Sequence, residues 1–379
     1  MGYYKNFKSK LLALLLLLFI SVIAVLNLLS ADRSFSESEN RMLEQLPHFS
    51  LKALLSGDFT ADFEKYVSDQ FVFRDFWMGA KTDMDRMMGK KESNGIYIGK
   101  DGYLIQNFIP PAEKDLEEKV DAIHAFDHAT PGLDKYVMLA PTAAAIYQDK
   151  LPKYTIIGDQ EAYLKKVKQW MYPNLRFIDV FPSLYAARDQ PIYYKTDHHW
   201  TTKGAYIAYL ELCRQMGLTP QKEEEFNIQQ VTDEFYGSLY SKSGFRHVQS
   251  DRLELYLPKD QEKYTVTYVD EEKTTDSLYA MEQLQRKDKY AVFLNGNHAR
   301  IHIKTANPSG RKLLVVKDSY ANSLITFLLK HFSEIHVVDL RYYEEDLASF
   351  VHEQGIQDML LLYNANTFFE DPSIKNVTE

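Results

Sequence analysis

The sequence has little cysteine and no excess of basic charge. Cys213 is the single cysteine of 379 residues, which excludes an internal disulfide framework and a zinc site built from cysteines. Asp and Glu (53) outnumber Lys and Arg (44), so the formal net charge is −9 at pH 7. Because nucleic-acid binding needs a basic surface, this balance argues against a nucleic-acid partner. Hydrophobic residues make up 45% of the chain, which permits a sizeable core.

Charge is also absent from one long segment near the N-terminus, Leu11–Leu29. At about 1.5 Å per helical residue, this segment nearly covers the roughly 30 Å hydrocarbon layer of a membrane. Lys5, Lys8 and Lys10 precede it and Asp32 follows it. This asymmetry predicts a single-pass helix in the cell membrane, with the N-terminus in the cytoplasm and the remaining chain outside.

A cleaved signal peptide is the alternative interpretation of this segment, with Ala31 as one possible last residue. The apolar run is longer than the core of a usual signal peptide, and Leu29 fits poorly where a cleavage site needs a small residue. We therefore predict an uncleaved anchor over residues 1–31. A polar, mostly helical pattern then predicts a juxtamembrane region over residues 32–91.

Residues 92–379 predict an α/β domain with a mostly parallel sheet flanked by helices, because apolar strand-like runs alternate with helical patterns. A hairpin is predicted over residues 95–104, with Lys-Asp-Gly as its turn. Predicted strands cover 136–140, 176–180, 312–317, 334–339 and 359–363. Predicted helices cover 159–171, 204–216, 323–331 and 344–354. A charged, turn-rich stretch over about 219–310 interrupts the rhythm and predicts an insertion with β-like runs at 264–269, 291–294 and 300–304.

Polar side chains follow several of the predicted strands. Ser319 follows the strand that ends at Lys317, at the predicted start of a helix whose N-terminal N–H groups favour an oxyanion. Asp197 and His199 lie in "TDHHW", two positions apart, so they project to the same side of an extended segment. Asparagines follow the last strand in "YNANT". A nucleophilic serine, a histidine base, an orienting aspartate and an amide donor are the groups that acyl transfer requires.

Each of these residues also has a non-catalytic interpretation. A serine after a strand is often a helix N-cap, paired histidines in a loop are often solvated, and asparagines form turns. A metal site that combines Asp197, His198 or His199 with His298 or His302 is a further alternative. The ligand spacing matches no established metal motif, so we predict neither a metal nor a cofactor.

The motif "TDHHWTTKGAY" resembles the signature of the DHHW family of bacterial surface proteins. "FLNGNHARIHIKT", "VVKDSYANSLITFLLKHF" and "LLLYNANTFFED" are similar to later blocks of that family. The family in turn resembles the periplasmic alginate O-acetylation proteins, which are SGNH-hydrolase-like. This resemblance implies a circularly permuted SGNH-hydrolase-like fold, since the Asp/His block here precedes the serine. Two details depart from the SGNH pattern: the block is Asp-x-His, and Lys317 replaces the usual glycine before Asp-Ser.

The resemblance implies an extracytoplasmic O-acetyltransferase that modifies a cell-surface polysaccharide through an acetyl-serine. Ser319, His199 and Asp197 would form the triad, and Asn366 with the Ser319 N–H would form the oxyanion hole. It also implies a partner, a membrane-bound O-acyltransferase that supplies acetyl groups. Contacts with the glycan, or orientation of loops, are weaker candidate roles for four further residues: Trp200, Asn297, Lys317 and Arg341.

Two other functions remain open from the sequence. A polysaccharide deacetylase or esterase would use the same triad, with water in place of a sugar hydroxyl. A non-catalytic glycan-binding scaffold would keep the fold without using Ser319.

Overall fold

The computed structural model describes residues 2–36, 41–171, 173, 175–260 and 263–378. The chain forms two compact units. The first unit comprises Met1–Lys90 with Gly244–Arg246, and the second comprises Lys91–Ser243 with His247–Glu379.

The first unit is helical apart from two short paired strands. Its helices are α1 (Gly2–Leu29), α2 (Leu51–Ser56), α3 (Asp58–Asp69) and α4 (Arg74–Met87), and its strands are β1 (Phe35–Ser36) and β2 (Arg41–Met42). Within α1, residues 7–29 have a mean hydropathy of 3.0, so this helix is long and apolar enough to cross a membrane. Asp69 accepts hydrogen bonds from the Arg41 guanidinium at 2.6 and 2.8 Å and so ties β2 to the end of α3.

The strands of the second unit are β3 (Glu92–Ser93), β4 (Ile96–Ile98), β5 (Leu104–Gln106), β6 (Asp134–Ala140), β7 (Arg176–Phe177), β8 (Phe226–Phe235), β9 (Asp251–Pro258), β10 (Tyr264–Tyr268), β11 (Lys273–Thr275), β12 (Arg300–Thr305), β13 (Lys312–Lys317), β14 (Glu334–Val338) and β15 (Asp358–Asn364). Eight of them form one sheet in the order β11-β10-β12-β14-β13-β15-β6-β7. The strands from β14 to β7 pair in parallel, whereas β12, β10 and β11 add an antiparallel edge.

Helices cover both faces of this sheet, and a hydrophobic core lies on each face. On β13, Leu313 and Val315 point into one core, whereas Leu314 and Val316 point into the other. Burial on both faces explains why this strand reads as a continuous apolar run. The helices are α5 (Glu113–Ala129), α6 (Ala143–Ile146), α7 (Gln160–Met171), α8 (Phe181–Ala186), α9 (Thr202–Met216), α10 (Ser238–Ser243), α11 (Ala321–Ile325), α12 (Leu347–Gln354) and α13 (Ala365–Glu370).

The predicted α/β fold with a mostly parallel sheet is confirmed, and the hairpin over residues 95–104 forms as β4 and β5. The 219–310 stretch is more closely integrated than an insertion outside the sheet would be, because β10, β11 and β12 extend the main sheet. The strand predicted over 176–180 pairs only at Arg176–Phe177.

Two predicted elements are wrong in type or length. The β-like run at 291–294 overlaps a 3-10 helix, Lys289–Val292, and short apolar runs of this kind carry no periodicity that separates the two states. The helix predicted over 323–331 is α11, which ends at Ile325. Tight turns follow, closed by i→i−3 bonds such as Phe327 N–H to Leu324, and they bury Phe327 and Leu328 completely.

Candidate active site

Asp197, His199 and Ser319 form a continuous chain of hydrogen bonds. The Nδ1 atom of His199 lies 2.5 Å from the Asp197 Oδ1 atom, and its Nε2 atom lies 2.7 Å from the Ser319 Oγ atom. Asp197 is 4% exposed and His199 is 5% exposed, whereas Ser319 is partly exposed. One buried imidazole therefore links a buried carboxylate to a hydroxyl that reaches the surface.

The Asp197 carboxylate is held in place by the segment that leads into α10. Besides the imidazole of His199, it accepts the backbone N–H of His199 at 2.9 Å and that of Ser238 at 2.7 Å. Burial alone would raise the pKa of this carboxyl, but the adjacent imidazoles and these hydrogen bonds hold the pKa well below its usual range. Asp197 is thus an anion that fixes the orientation of His199.

The close approach of the chain to Asp197 requires glycine at position 237. A Cβ atom at Gly237 would lie 2.2 Å from the Cβ of Asp197, closer than any side chain tolerates. Neither Gly237 nor Ser238 is predicted from the sequence, because both lie about forty positions from the "DHHW" motif. "YGSLY", a Gly-Ser pair before an apolar residue, was the available signal for a tight helix start.

Ser319 lies in the turn directly after β13. Asp318 shapes this turn, because its carboxylate accepts the N–H groups of Tyr320 and of Asn364, each at 2.9 Å. Among the described residues, no hydrogen-bond partner is present for the Ser319 backbone N–H. Ser319 lies on the predicted strand-to-helix turn, two residues before α11, which begins at Ala321 and is only five residues long. A free backbone N–H, and not a helix dipole, is the donor available here.

Two tyrosines restrain the histidine pair. The ring of Tyr290 stacks on the His199 imidazole, with 3.7 Å between ring centroids and 8° between planes. The hydroxyl of Tyr320 donates a hydrogen bond to the His198 carbonyl. His198 itself turns away from Ser319, and its Nδ1 atom lies 2.6 Å from the Ser238 Oγ atom. Neither tyrosine was identified from the sequence, because tyrosine is abundant and these two lie in unrelated motifs.

Trp200 is completely buried beside the serine turn. Its Nε1–H donates to the Tyr320 carbonyl at 3.0 Å and to the Ser323 hydroxyl at 3.1 Å. Contact with a glycan does not fit this burial, so of the two candidate roles only loop orientation agrees with the structure.

The other three weaker candidates form a polar cluster with Asp339 at the end of the sheet. The Lys317 ammonium is 0% exposed and donates to the Asn297 side chain at 2.8 Å. Asp339 lies 3.6 Å from that ammonium and pairs with the Arg341 guanidinium at 2.6 and 2.8 Å. Burial lowers the pKa of Lys317 to about 8. Direct contact between Lys317 and a glycan therefore does not fit, whereas Arg341 keeps a partly exposed side chain.

A cavity of about 270 Å³ borders His198, and its other lining residues include Thr142, Ser238, Asn364 and Asn366. The Asn366 side chain accepts from Gln160 at 2.9 Å and donates to the Asn107 carbonyl at 3.3 Å. The Asn364 side chain caps α13, and its buried Nδ2 atom has no hydrogen-bond partner in the described part of the chain. Two asparagine amides therefore border this cavity.

Two groups of side chains have metal-ligand chemistry within the described ranges. The first is Asp197 with His198 and His199, whose polar atoms the hydrogen bonds above already engage. The second is His302 with Glu334 and His336. The two imidazoles of the second group stack with planes 3° apart, so their in-plane lone pairs do not converge on one point. His298 lies elsewhere, 3.2 Å from the Asn295 carbonyl. That the chain uses no metal stays a prediction.

Several solved structures are similar to this chain, and two of them, with TM-scores above 0.6, share its fold. A DHHW family protein from Eubacterium siraeum is 24% identical, with a TM-score of 0.67 over 76% of this chain and 97% of its own. Bacillus cereus PatB1, in a structure with a sulfonyl adduct, is 18% identical, with a TM-score of 0.64 over 75% of this chain and 98% of its own. The O-acetyltransferase domain of Pseudomonas putida AlgJ is 16% identical, with a TM-score of 0.47 over 74% and 99% of the two chains.

The family assignment comes from the sequence. No curated protein matches the chain significantly. The family model for DHHW proteins matches residues 132–338, which include Asp197, His199 and Ser319. This match covers more than half of the sequence, and the chain belongs to the DHHW family.

Proposed function

We propose that this protein is an extracytoplasmic O-acetyltransferase that modifies a cell-surface polysaccharide through an acetyl-serine intermediate. The observation that carries the proposal is the hydrogen-bond chain from Asp197 through His199 to the Ser319 hydroxyl. A serine hydroxyl is a weak nucleophile until a neighbouring base accepts its proton, and His199 is placed to accept it.

In the first half of the reaction, the Ser319 Oγ atom attacks the carbonyl carbon of an acetyl donor while the proton moves to the His199 Nε2 atom. The resulting imidazolium is stabilised by the anionic Asp197. The tetrahedral intermediate then expels the donor's leaving group, which takes the proton from His199. The acetyl group remains as an ester on Ser319.

In the second half, a polysaccharide hydroxyl gives its proton to His199 and attacks the acetyl-serine carbonyl. The new tetrahedral intermediate expels the Ser319 oxygen, which recovers the proton from His199. The acetyl group is now an ester of the sugar, and the triad returns to its starting state.

Both intermediates carry a negative oxygen that needs hydrogen-bond donors. We assign the unpartnered backbone N–H of Ser319 and the Asn366 amide to this oxyanion hole, as the family resemblance implies. The unpartnered Nδ2 atom of Asn364 is a second amide at the same cavity. Loss of one such donor typically slows acyl transfer by ~10²–10³-fold.

The proposed location follows from α1. As an uncleaved anchor with its lysine-rich end in the cytoplasm, α1 would hold the second unit outside the membrane. A membrane-bound O-acyltransferase is the partner we propose, since acetyl donors are made in the cytoplasm and the acetyl group must cross the membrane. One PatB1 structure contains a sulfonyl adduct, and we propose that Ser319 is the residue that a sulfonyl fluoride would modify in this chain.

A polysaccharide deacetylase is the second candidate, since water at the acetyl-serine would complete the same triad chemistry. A non-catalytic scaffold is the third, and the complete triad geometry disfavours it.

The partition of the acetyl group between sugar and water separates these functions. The protein would be incubated with 4-nitrophenyl acetate and neutral or uronic-acid oligosaccharides, with nitrophenol release and sugar mass both recorded. A transferase adds 42 Da, about the mass of one acetyl group, to the sugar, and the sugar accelerates nitrophenol release when deacylation limits the rate. Nitrophenol release without sugar acetylation would favour the deacetylase. If the wild type released nitrophenol no faster than a Ser319→Ala variant, the scaffold would be favoured.

A further inference from the structure

The helix α4 exposes an apolar stripe. Four of its residues and the two that flank it make up this stripe, and they are between 38% and 85% exposed: Phe73, Phe76, Trp77, Met84, Met87 and Met88. At about 100° per residue the four residues within α4 occupy a single arc of roughly 100°. In a soluble protein such an arc normally faces the core.

The opposite side of α4 is the side that packs within the first unit. Gly79 and Thr82 are its buried residues. A Cβ atom at Gly79 would meet the Arg246 side chain, whose guanidinium pairs with Asp83 at 2.7 Å. The small, polar face of α4 is therefore covered, and the large, apolar face is left open.

The stripe is continuous with the surface of α1. The ring of Trp77 meets the ring of Phe19 edge to face, with 6.4 Å between centroids, and the Asn27 side chain accepts the Val72 N–H at 2.8 Å. No residue in the apolar window of α1 is fully buried by protein. Phe19 precedes Leu29, the last residue of α1, by a distance of roughly 15 Å along the helix at ~1.5 Å per residue.

We infer that the exposed stripe of α4 lies in the lipid bilayer beside α1, so that α1 and α4 together form the membrane-attached part of the protein. This inference rests on the proposed role of α1 as a membrane anchor. Phe19 lies well inside the span, and Trp77 touches it, so Trp77 is in contact with acyl chains. Tryptophan, phenylalanine and methionine are suited to this position, since their side chains are large and apolar and methionine adapts to irregular surroundings.

The lipid contact has a functional consequence for the proposed acetyltransferase. With α1 as its only membrane contact, the part of the chain outside the membrane would be free to rotate about α1. A second membrane contact through α4 fixes how the first unit is oriented at the membrane surface. The class of partner that the stripe fits is therefore a lipid surface, in addition to any protein that the second unit contacts.

Tryptophan quenching by brominated lipid tests the inference on the full chain. The protein has three tryptophans, Trp77, Trp170 and Trp200, and the last is completely buried. The chain would be placed in phosphatidylcholine nanodiscs, with or without bromine on the acyl chains. The emission of Trp77 is obtained in each lipid by subtracting the emission of the Trp77→Phe variant from that of the wild type. We expect bromine to reduce this emission at least twofold. The matched control, Trp170→Phe, is expected to retain the bromine effect.

A Trp77 emission that is equal in both lipids would overturn the inference, and it would leave a protein partner as the occupant of the stripe. Failure of the chain to remain in the discs would contradict the role of α1 as an anchor, and it would overturn the inference as well. Ester turnover by the same samples reports on Ser319 separately, so failure of the proposed chemistry is distinguishable from both results.

Discussion

The imidazole of His199 lies face to face with the phenol ring of Tyr290, with 3.7 Å between ring centroids. The Tyr290 hydroxyl donates to the Ser323 side chain at 3.1 Å, so the ring is held at its far end. A stacked, anchored ring limits rotation of the imidazole, which must keep one nitrogen on Asp197 and the other on Ser319. Tyr290 is thus a positioning residue for the proposed base.

Replacement of Tyr290 separates stacking from hydrogen bonding. We expect Tyr290→Ala to lower kcat for ester turnover about tenfold or more, because a mispositioned base transfers protons poorly. A well-placed general base contributes ~10²–10⁴-fold to the rate, and part of that factor would be lost. Tyr290→Phe keeps the ring and is expected to retain most of the activity. The two variants are compared by steady-state kinetics at a temperature at which both are folded. An equal loss of kcat in the two variants would argue against a stacking role.

Substitutions at the two adjacent histidines are expected to lower kcat for ester turnover to very different extents. His199→Gln removes the proposed base and should lower kcat by at least ~10³-fold. His198→Gln should cost far less, because the His198 ring contacts Ser238 and not Ser319. Ester turnover by both variants gives the answer, and a larger loss for His198→Gln would reverse the assignment.

The asparagine at the oxyanion hole is tested by changing each candidate amide alone. Asn366→Ala is expected to lower kcat by ~10²–10³-fold with little change in KM, since an oxyanion donor acts only in the transition state. Asn364→Ser keeps a side-chain cap for α13 and removes the free Nδ2 donor. A loss confined to Asn364→Ser would assign the oxyanion contact to Asn364 and remove Asn366 from it.

The buried Lys317 predicts a pH dependence of stability. Burial lowers its pKa to about 8 in the folded protein, from the ordinary lysine value of 10.5. Between these two values the unfolded chain binds more protons than the folded one, so the free energy of unfolding contributed by Lys317 rises with pH. The slope reaches up to ~1.4 kcal/mol per pH unit and vanishes below about pH 8.

Urea unfolding between pH 7 and 9.5 measures this slope in the wild type and in Lys317→Met. We expect the variant to lose the rise above pH 8, while Arg341 still pairs with Asp339. Buried tyrosines such as Tyr193 and Tyr290, whose pKa values burial raises, lower the stability of both proteins alike near the upper end of this window. The difference between the two profiles therefore reports on Lys317. Identical pH profiles of the two proteins would show that Lys317 is already charged throughout and would contradict the lowered pKa.

The sequence predicted those parts of the site that follow directly from strand ends. Ser319 comes two residues after β13, and Asp197 and His199 share one motif, so pattern and spacing were sufficient. The helix after Ser319 was predicted too long. Its apolar run is buried on all sides, and such a run forms tight turns as readily as a helix.

The residues that the sequence analysis missed act through contacts between distant segments. Gly237 and Ser238 reach Asp197 from about forty positions away, and Tyr290 reaches His199 from about ninety. Their positions depend on how the 219–310 stretch folds back, and that stretch was interpreted as an insertion. Its strands β10 and β12 alternate in burial and match the predicted β-like runs, but a local pattern does not show which sheet a strand joins.

The mass of the intact protein after brief exposure to 4-nitrophenyl acetate tests the central claim most directly. The account predicts a single acetyl adduct on wild type, located on Ser319 by peptide mapping. The adduct is expected to be absent from Ser319→Ala, present in the control variant Ser183→Ala, whose serine lies on α8, and lost faster when an acceptor oligosaccharide is added. An adduct of equal extent on Ser319→Ala, or none on a wild type that turns over the ester, would contradict a covalent acetyl-serine.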